Sequence, residues 1–176
     1  MKFAKLAIAL GLCAAGFSAS AQTANMAVNA NIAGSCSVIV SALNFLVYDP
    51  LSATANTAES STAITCTSGA GAALSMGIGG FSTGTGATAQ RRLRAGPAGS
   101  YSYLNYNIFQ PLSAAPGANC DYTTPWGDNT TGGARLAIGA APTAAARTFK
   151  ICGQIPALQA SAIGSYADTI VVTANL

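Results

Sequence analysis

The residues able to do acid–base chemistry are few. The five carboxylates are Asp49, Glu59, Asp121, Asp128 and Asp168. Two of them held at a fixed separation across a cleft would suit glycoside hydrolysis, but nothing in their spacing pairs any two. The chain has no His, which removes the usual proton shuttle near neutral pH and excludes a Ser-His-Asp triad. These carboxylates are read as solvated loop and turn groups. Gly84-Thr85-Gly86 with Ala89 bears only a faint likeness to a dinucleotide loop, a motif that needs a strand before it and a helix after it. The next residues are Gln90-Arg91-Arg92-Leu93-Arg94, with no amphipathic helix. Arg91, Arg92 and Arg94 read as a solvated strand edge that discourages unwanted pairing, with contact to a polyanion as the lesser reading. Tyr101, Tyr103, Tyr106 and Phe109 read as cross-strand packing with hydroxyls at the surface, ahead of a stacking platform for bases or sugars.

The remaining reactive side chains are thiols. Cys13 lies in an N-terminal apolar run, and Cys36, Cys66, Cys120 and Cys152 follow it. No two of them form a CxxC redox or zinc motif. Removal of an N-terminal signal that carries Cys13 would leave four, and in an exported chain an even number of cysteines reads as disulfides rather than as a thiolate zinc site. Four cysteines allow three pairings, and spacing does not choose among them. No cofactor, metal or small-molecule substrate is expected, and no enzymatic activity.

Export is itself legible. Lys2 and Lys5 precede an uncharged apolar run from Ala7 to Phe17, and Ala19-Ser20-Ala21 supplies the small residues a signal peptidase requires. The run is too short to span a bilayer as a helix, which takes about 20 residues. Residues 1–21 are therefore expected to be a secretory signal, with Gln22 as the mature start. Lys+Arg number 8 and Asp+Glu 5, and loss of Lys2 and Lys5 leaves 6 − 5 = +1. That balance gives no electrostatic footprint for nucleic acid. Charged residues make up 7% of the chain, far below the usual quarter or so, so its surface must be built from Thr, Ser, Asn, Gly and Ala, which suits an extracellular assembly.

The elements that would position these residues are short strands. Met26, Val28, Ala30 and Ile32 alternate with Ala27, Asn29 and Asn31 at strand period. Further strands are expected at Ser37 to Val40, Ala63 to Thr67, Ala72 to Ile78, Tyr101 to Phe109 and Arg147 to Ile151. The last is expected from Tyr166 to Leu176, with Ile170, Val172, Ala174 and Leu176 on one face. Gly and Pro punctuate the runs, as at Gly79-Gly80, Gly96-Pro97 and Gly132-Gly133. Ser82 to Ala89 and Thr123 to Gly133 read as exposed loops. No capped amphipathic helix of ordinary length, repeat or second domain is visible after the signal. The fold class is all-β, a single sandwich or barrel.

Longer sequence features carry a family resemblance. Gly153-Gln154-Ile155-Pro156-Ala157-Leu158-Gln159 is followed by Gly164-Ser165-Tyr166-Ala167-Asp168-Thr169-Ile170-Val171-Val172-Thr173. Upstream, in the same order as in the family, stand Gly34-Ser35-Cys36-Ser37-Val38, Ile64-Thr65-Cys66-Thr67, Arg91 with Leu93, Leu104 to Phe109 and Trp126-Gly127. The chain resembles the spore coat protein U domain family, which includes subunits of archaic chaperone–usher pili. The resemblance implies an immunoglobulin-like β-sandwich lacking its last strand and completed by a donated one. It implies a Cys36–Cys66 bridge and, with it, Cys120–Cys152. It divides the chain into a signal at 1–21, a donor-strand extension at 22–35 and a pilin-like domain at 36–176. Met26, Val28, Ala30 and Ile32 are then the donor row; the alternative is an ordinary first strand of their own domain. Ile170, Val172, Ala174 and Leu176 are then the strand that a chaperone contacts, and the end of the chain at Leu176 is expected to leave the groove open.

The implied partners are a periplasmic chaperone, an outer-membrane usher and neighbouring copies of the chain or related subunits, with no nucleic acid. The implied location is the cell surface, reached through the periplasm, with a role in adhesion or biofilm. A spore or cell-surface coat protein of the same fold is the alternative, and a secreted carbohydrate-binding module a more distant one.

Overall fold

The structure, a computed structural model, describes residues 22–176. The expected signal at 1–21 lies outside the described residues. The chain divides at Asn31/Ile32 into a short N-terminal unit and the main body. Residues 22–35 form neither helix nor strand and are exposed throughout.

From Cys36 onward the chain alternates strands and turns. The strands are β1 (Cys36–Val40), β2 (Asn56–Cys66), β3 (Ala72–Met76), β4 (Arg91–Ala95), β5 (Ser102–Pro111), β6 (Cys120–Pro125), β7 (Leu136–Ile138), β8 (Arg147–Ile155) and β9 (Val172–Asn175). A 3₁₀ turn occupies Gly86–Thr88. One sheet runs β1-β2-β8-β5-β4, with β6 also paired to β5 beyond a register shift between Phe109 and Pro111. The other runs β7-β3-β9. All strand pairs are antiparallel.

Period-two burial explains the layering. In β8, Phe149, Ile151 and Ile155 are buried at alternate positions, as are Ile64 and Cys66 in β2 and Leu104, Tyr106 and Ile108 in β5. These rows meet Leu74 and Met76 of β3, together with Trp126 and Leu136, in one apolar core. Two antiparallel sheets with interdigitating inner faces make an immunoglobulin-like sandwich. Cys36 is bonded to Cys66, its opposite residue across the β1–β2 pair, and Cys120 to Cys152, linking β6 to β8. Each bridge closes about 30 residues, which in the loop-entropy description contributes about 3–4 kcal/mol.

Several sequence expectations need correction. β2 begins at Asn56, well before Ala63, because Asn-Thr-Ala-Glu-Ser-Ser-Thr pairs with β8 on one side while β1 begins on the other. Its hydrogen bonds come from its neighbours, so low hydrophobicity does not prevent a strand. The final strand is shorter than expected: only Val172–Asn175 pairs with β3, and upstream Ala167 makes a single bridge to Arg94 of β4. The chain here crosses from the edge of one sheet to the other. Thr123 to Gly133 is not simply an exposed loop, since Trp126 within it is 0% exposed and donates Nε1–H to the Leu74 carbonyl at 2.9 Å. Arg91 is not solvated either; it is 3% exposed.

Candidate functional site

A groove of about 1300 Å³ opens onto the inner face of the larger sheet. Its floor is apolar, formed chiefly by Leu104, Tyr106 and Ile108 of β5 and Ile151 and Ile155 of β8. One wall runs on from the end of β1, residues 40–48, and the other is the segment before β9, residues 161–170.

The first wall depends on a missing side chain. A Cβ on Gly153 would lie 2.6 Å from Leu43 Cδ2 and 2.8 Å from Phe45 Cζ. Glycine in the middle of β8 therefore lets these two side chains settle on the sheet, where the Phe45 ring meets Tyr106 edge-on at 6.1 Å. Side chains hold the wall's backbone. Asn56 Nδ2 donates to the carbonyls of Phe45 and Val47 at 3.2 and 2.9 Å. Tyr48 donates its hydroxyl to the Pro156 carbonyl at 2.9 Å and accepts from Gln159 N–H at 2.8 Å. Gln159 in turn pairs with both backbone groups of Asn105.

Asp168 pins the second wall. Its Oδ1 accepts from the Gly80 and Thr169 N–H groups, each at 2.8 Å, and its Oδ2 accepts from the Tyr106 hydroxyl at 2.7 Å. Gly79 sits at φ +83°, and a Cβ there would collide with the carboxylate, so glycine is required on both counts. Burial, then the hydrogen bond to Asp168 and its charge, push the Tyr106 phenol well above its ordinary range, against an opposing pull from Arg91. The phenol therefore stays protonated as the donor to Asp168. Behind it, Arg91 donates Nε–H to Gly77 O at 2.9 Å and Nη2–H to Met76 O and Trp126 O at 3.2 and 2.7 Å. Burial lowers its pKa, against the opposing charges of Tyr106, Asp168 and Asp128. Asp128 is held well below the carboxylate range by hydrogen bonds from Thr130 and Thr131, which close its turn. Tyr106 and Asp168, which line the groove, thus brace it. Among the described residues no three His, Cys, Asp or Glu side chains gather to hold a metal.

The clamp has a measurable consequence. Tyr106→Phe keeps the ring but leaves Asp168 Oδ2 without its donor, and a hydrogen bond to a charged group is worth about 1.5–3 kcal/mol. Denaturant unfolding of the oxidised chain is expected to show a loss in that range, whereas Tyr48→Phe, whose partners are neutral backbone groups, is expected to lose less.

Most residues predicted from sequence fall in distinct places. Ile170 and Val172 line the groove, and Ala174 packs against the core opposite Leu74. Leu176 stands exposed beyond the end of β9. Among the described residues no strand pairs with the other edge of β9. Met26, Val28 and Ile32 are exposed by 83, 80 and 82%, and Ala30 is also exposed. Asp168 is more than a solvated turn group, and Tyr106 turns its hydroxyl inward, not to the surface. The 40–48 wall was missed; its one signal was a glycine standing between Ile151 and Ile155 in a buried row.

Comparison with known proteins bears on family, sequence and fold. The family model described as Spore Coat Protein U domain matches residues 22–173. No curated protein matches the sequence. Among solved structures, the chain is similar to one from the crystal structure of the CsuC-CsuE chaperone-tip adhesion subunit pre-assembly complex from archaic chaperone-usher Csu pili of Acinetobacter baumannii, with TM-score 0.53 and 17% identity. The match covers 82% of this chain and 40% of that one, so this chain spans well under half of its relative. At that identity the likeness speaks for the fold.

Proposed function

This chain belongs to the Spore Coat Protein U domain family, a structural family and not one of enzymes, and from that premise we propose that it is a pilus subunit of the chaperone–usher type. In this reading the groove receives residues 22–35 of another copy. Residues 1–21 are the secretory signal, 22–35 the donor extension and 36–176 the accepting domain.

The observation that carries the proposal is the groove itself. Its floor is the inner face of β5 and β8, whose apolar side chains are buried within the chain itself, and it lies between two walls with almost no strand pairing of their own, where a sandwich normally has another strand. The smaller sheet ends at β9, whose outer edge no described strand pairs. Such an edge beside an apolar groove is a template for strand addition. The donor row Met26, Val28, Ala30 and Ile32 has the matching period and is exposed. Main-chain hydrogen bonds would supply much of the affinity, and alternate side chains entering the groove would fix register. Head-to-tail donation does not close on itself, so it builds a filament.

Before assembly the same edge needs a cap. A periplasmic chaperone is assigned to it, contacting the strand that carries Ile170, Val172, Ala174 and Leu176, and an usher to the exchange at the outer membrane. The two disulfides accord with an oxidising, extracytoplasmic location, and adhesion or biofilm formation is the role that a surface filament serves.

The test is co-expression with a periplasmic chaperone of the chaperone–usher type, followed by electron microscopy of cells with and without the gene for this chain. Co-purification with the chaperone, and filaments that vanish in the deletion, are expected. No capture and no filament would overturn the pilus reading in favour of a self-contained coat protein.

A further inference from the structure

On the side of β4–β5 away from the groove, alternate residues face outward, because Leu93, Leu104 and Tyr106 face in. Arg92 Cζ lies 4.2 Å from the centre of the Tyr103 ring. Arg94 Cζ lies 3.8 Å from the Phe81 ring and 4.2 Å from the Tyr101 ring. Arg92 also donates Nε–H to the Phe81 carbonyl at 2.8 Å, which ties the Phe81 backbone to the same patch. Tyr101 and Tyr103 stay partly exposed, at 40 and 37%.

Neither Arg92 nor Arg94 forms an ion pair among the described residues. The ion pair present there joins Lys150 to Glu59, while Arg91 is buried on three carbonyls. Stacking on aromatic rings fixes a guanidinium plane, and with Arg92 Nε–H spent on Phe81 it is the Nη pair that is left to engage a planar anion in a forked geometry. Two residues apart on one strand, the groups stand about 7 Å apart. One carboxylate cannot engage both forks at that distance, but anions repeated along a polymer can. Two cations are too few to hold a nucleic acid by phosphate neutralisation, and the neighbouring tyrosines offer apolar surface to sugar rings.

We propose that the outer face of β4–β5 binds an acidic polysaccharide, with Arg92 and Arg94 taking its carboxylates and Tyr101 and Tyr103 its rings. The face lies opposite the groove, so a strand seated there leaves it uncovered. A filament would then present it once per subunit, and weak single sites would add by avidity.

The experiment uses the full mature chain and immobilised alginate, a polymer of uronic acids, with dextran as the neutral control. Retention on alginate and not on dextran is expected, weakening as salt rises. Arg92→Gln/Arg94→Gln is expected to lose at least tenfold in affinity, and Arg135→Gln, elsewhere on the surface, to bind as wild type. Arg94→Lys keeps the charge without the fork and is expected to lose about threefold or more, which keeps the test open if the double variant misfolds. Failure to bind alginate, equal binding to dextran, or unchanged affinity in both arginine variants would overturn the proposal.

Discussion

Replacing Val28 and Ile32 together with aspartate is expected to abolish polymerisation while leaving the folded domain intact. Both side chains are exposed in the single chain, so the change leaves its core alone. Seated in a neighbour's groove, each would bury most of a branched aliphatic side chain, worth about 1.5–3 kcal/mol. An aspartate there would instead bring an unpaired carboxylate against Leu104, Ile108 and Ile151. Losing both apolar contacts alone removes about 4 kcal/mol, roughly a thousandfold in affinity. The check is size-exclusion chromatography and electron microscopy of the oxidised mature chain. Monomers with unchanged β circular dichroism are expected, and normal polymer from this variant would sink the donor assignment.

The second large effect concerns the accepting domain. Trp126→Ala is expected to cost about 3–5 kcal/mol, a large part of the stability of an ordinary domain. The indole is wholly enclosed, and its N–H serves the Leu74 carbonyl between the sheets. Its own backbone N–H donates to Ile108 O at 2.9 Å, so the residue also ties the turn after β6 to β5. For a domain of this size the loss corresponds to a fall of about 10–15 °C in Tm. Thermal and denaturant unfolding of the disulfide-bonded chain measure it. Trp126→Phe, which keeps much of the volume, is expected to lose clearly less.

Whether a residue's place could be read in advance depends on what holds it there. β3 and β8 announce themselves by alternating apolar side chains, because burial on one face of a strand writes that pattern into sequence. β2 does not, since its first half is polar and owes its strand to pairing with β8, β1 joining only from Thr62 onward. Arg91 carries the same ambiguity in a sharper form. An arginine in a basic cluster reads as solvated, and only the tertiary fold supplies the three carbonyls that let it be buried. The Tyr106–Asp168 clamp joins residues 62 positions apart, and no local periodicity records it. The groove's floor was implicit in the β5 and β8 patterns. Its 40–48 wall was not, because that segment is held by Asn56, Tyr48 and the space above Gly153 and has no strand period of its own.

The central claim is that the groove takes residues 22–35 of another copy. The direct measurement is titration of a synthetic 22–35 peptide into the mature Val28→Asp/Ile32→Asp chain, which has an intact groove and cannot fill its neighbours. One peptide is expected to bind per chain. It should raise stability by about 2.7 kcal/mol at a hundredfold excess over Kd, and a peptide carrying the same two aspartates should do neither. A chain that shows no saturable binding and no shift in unfolding with the wild-type peptide would contradict the account.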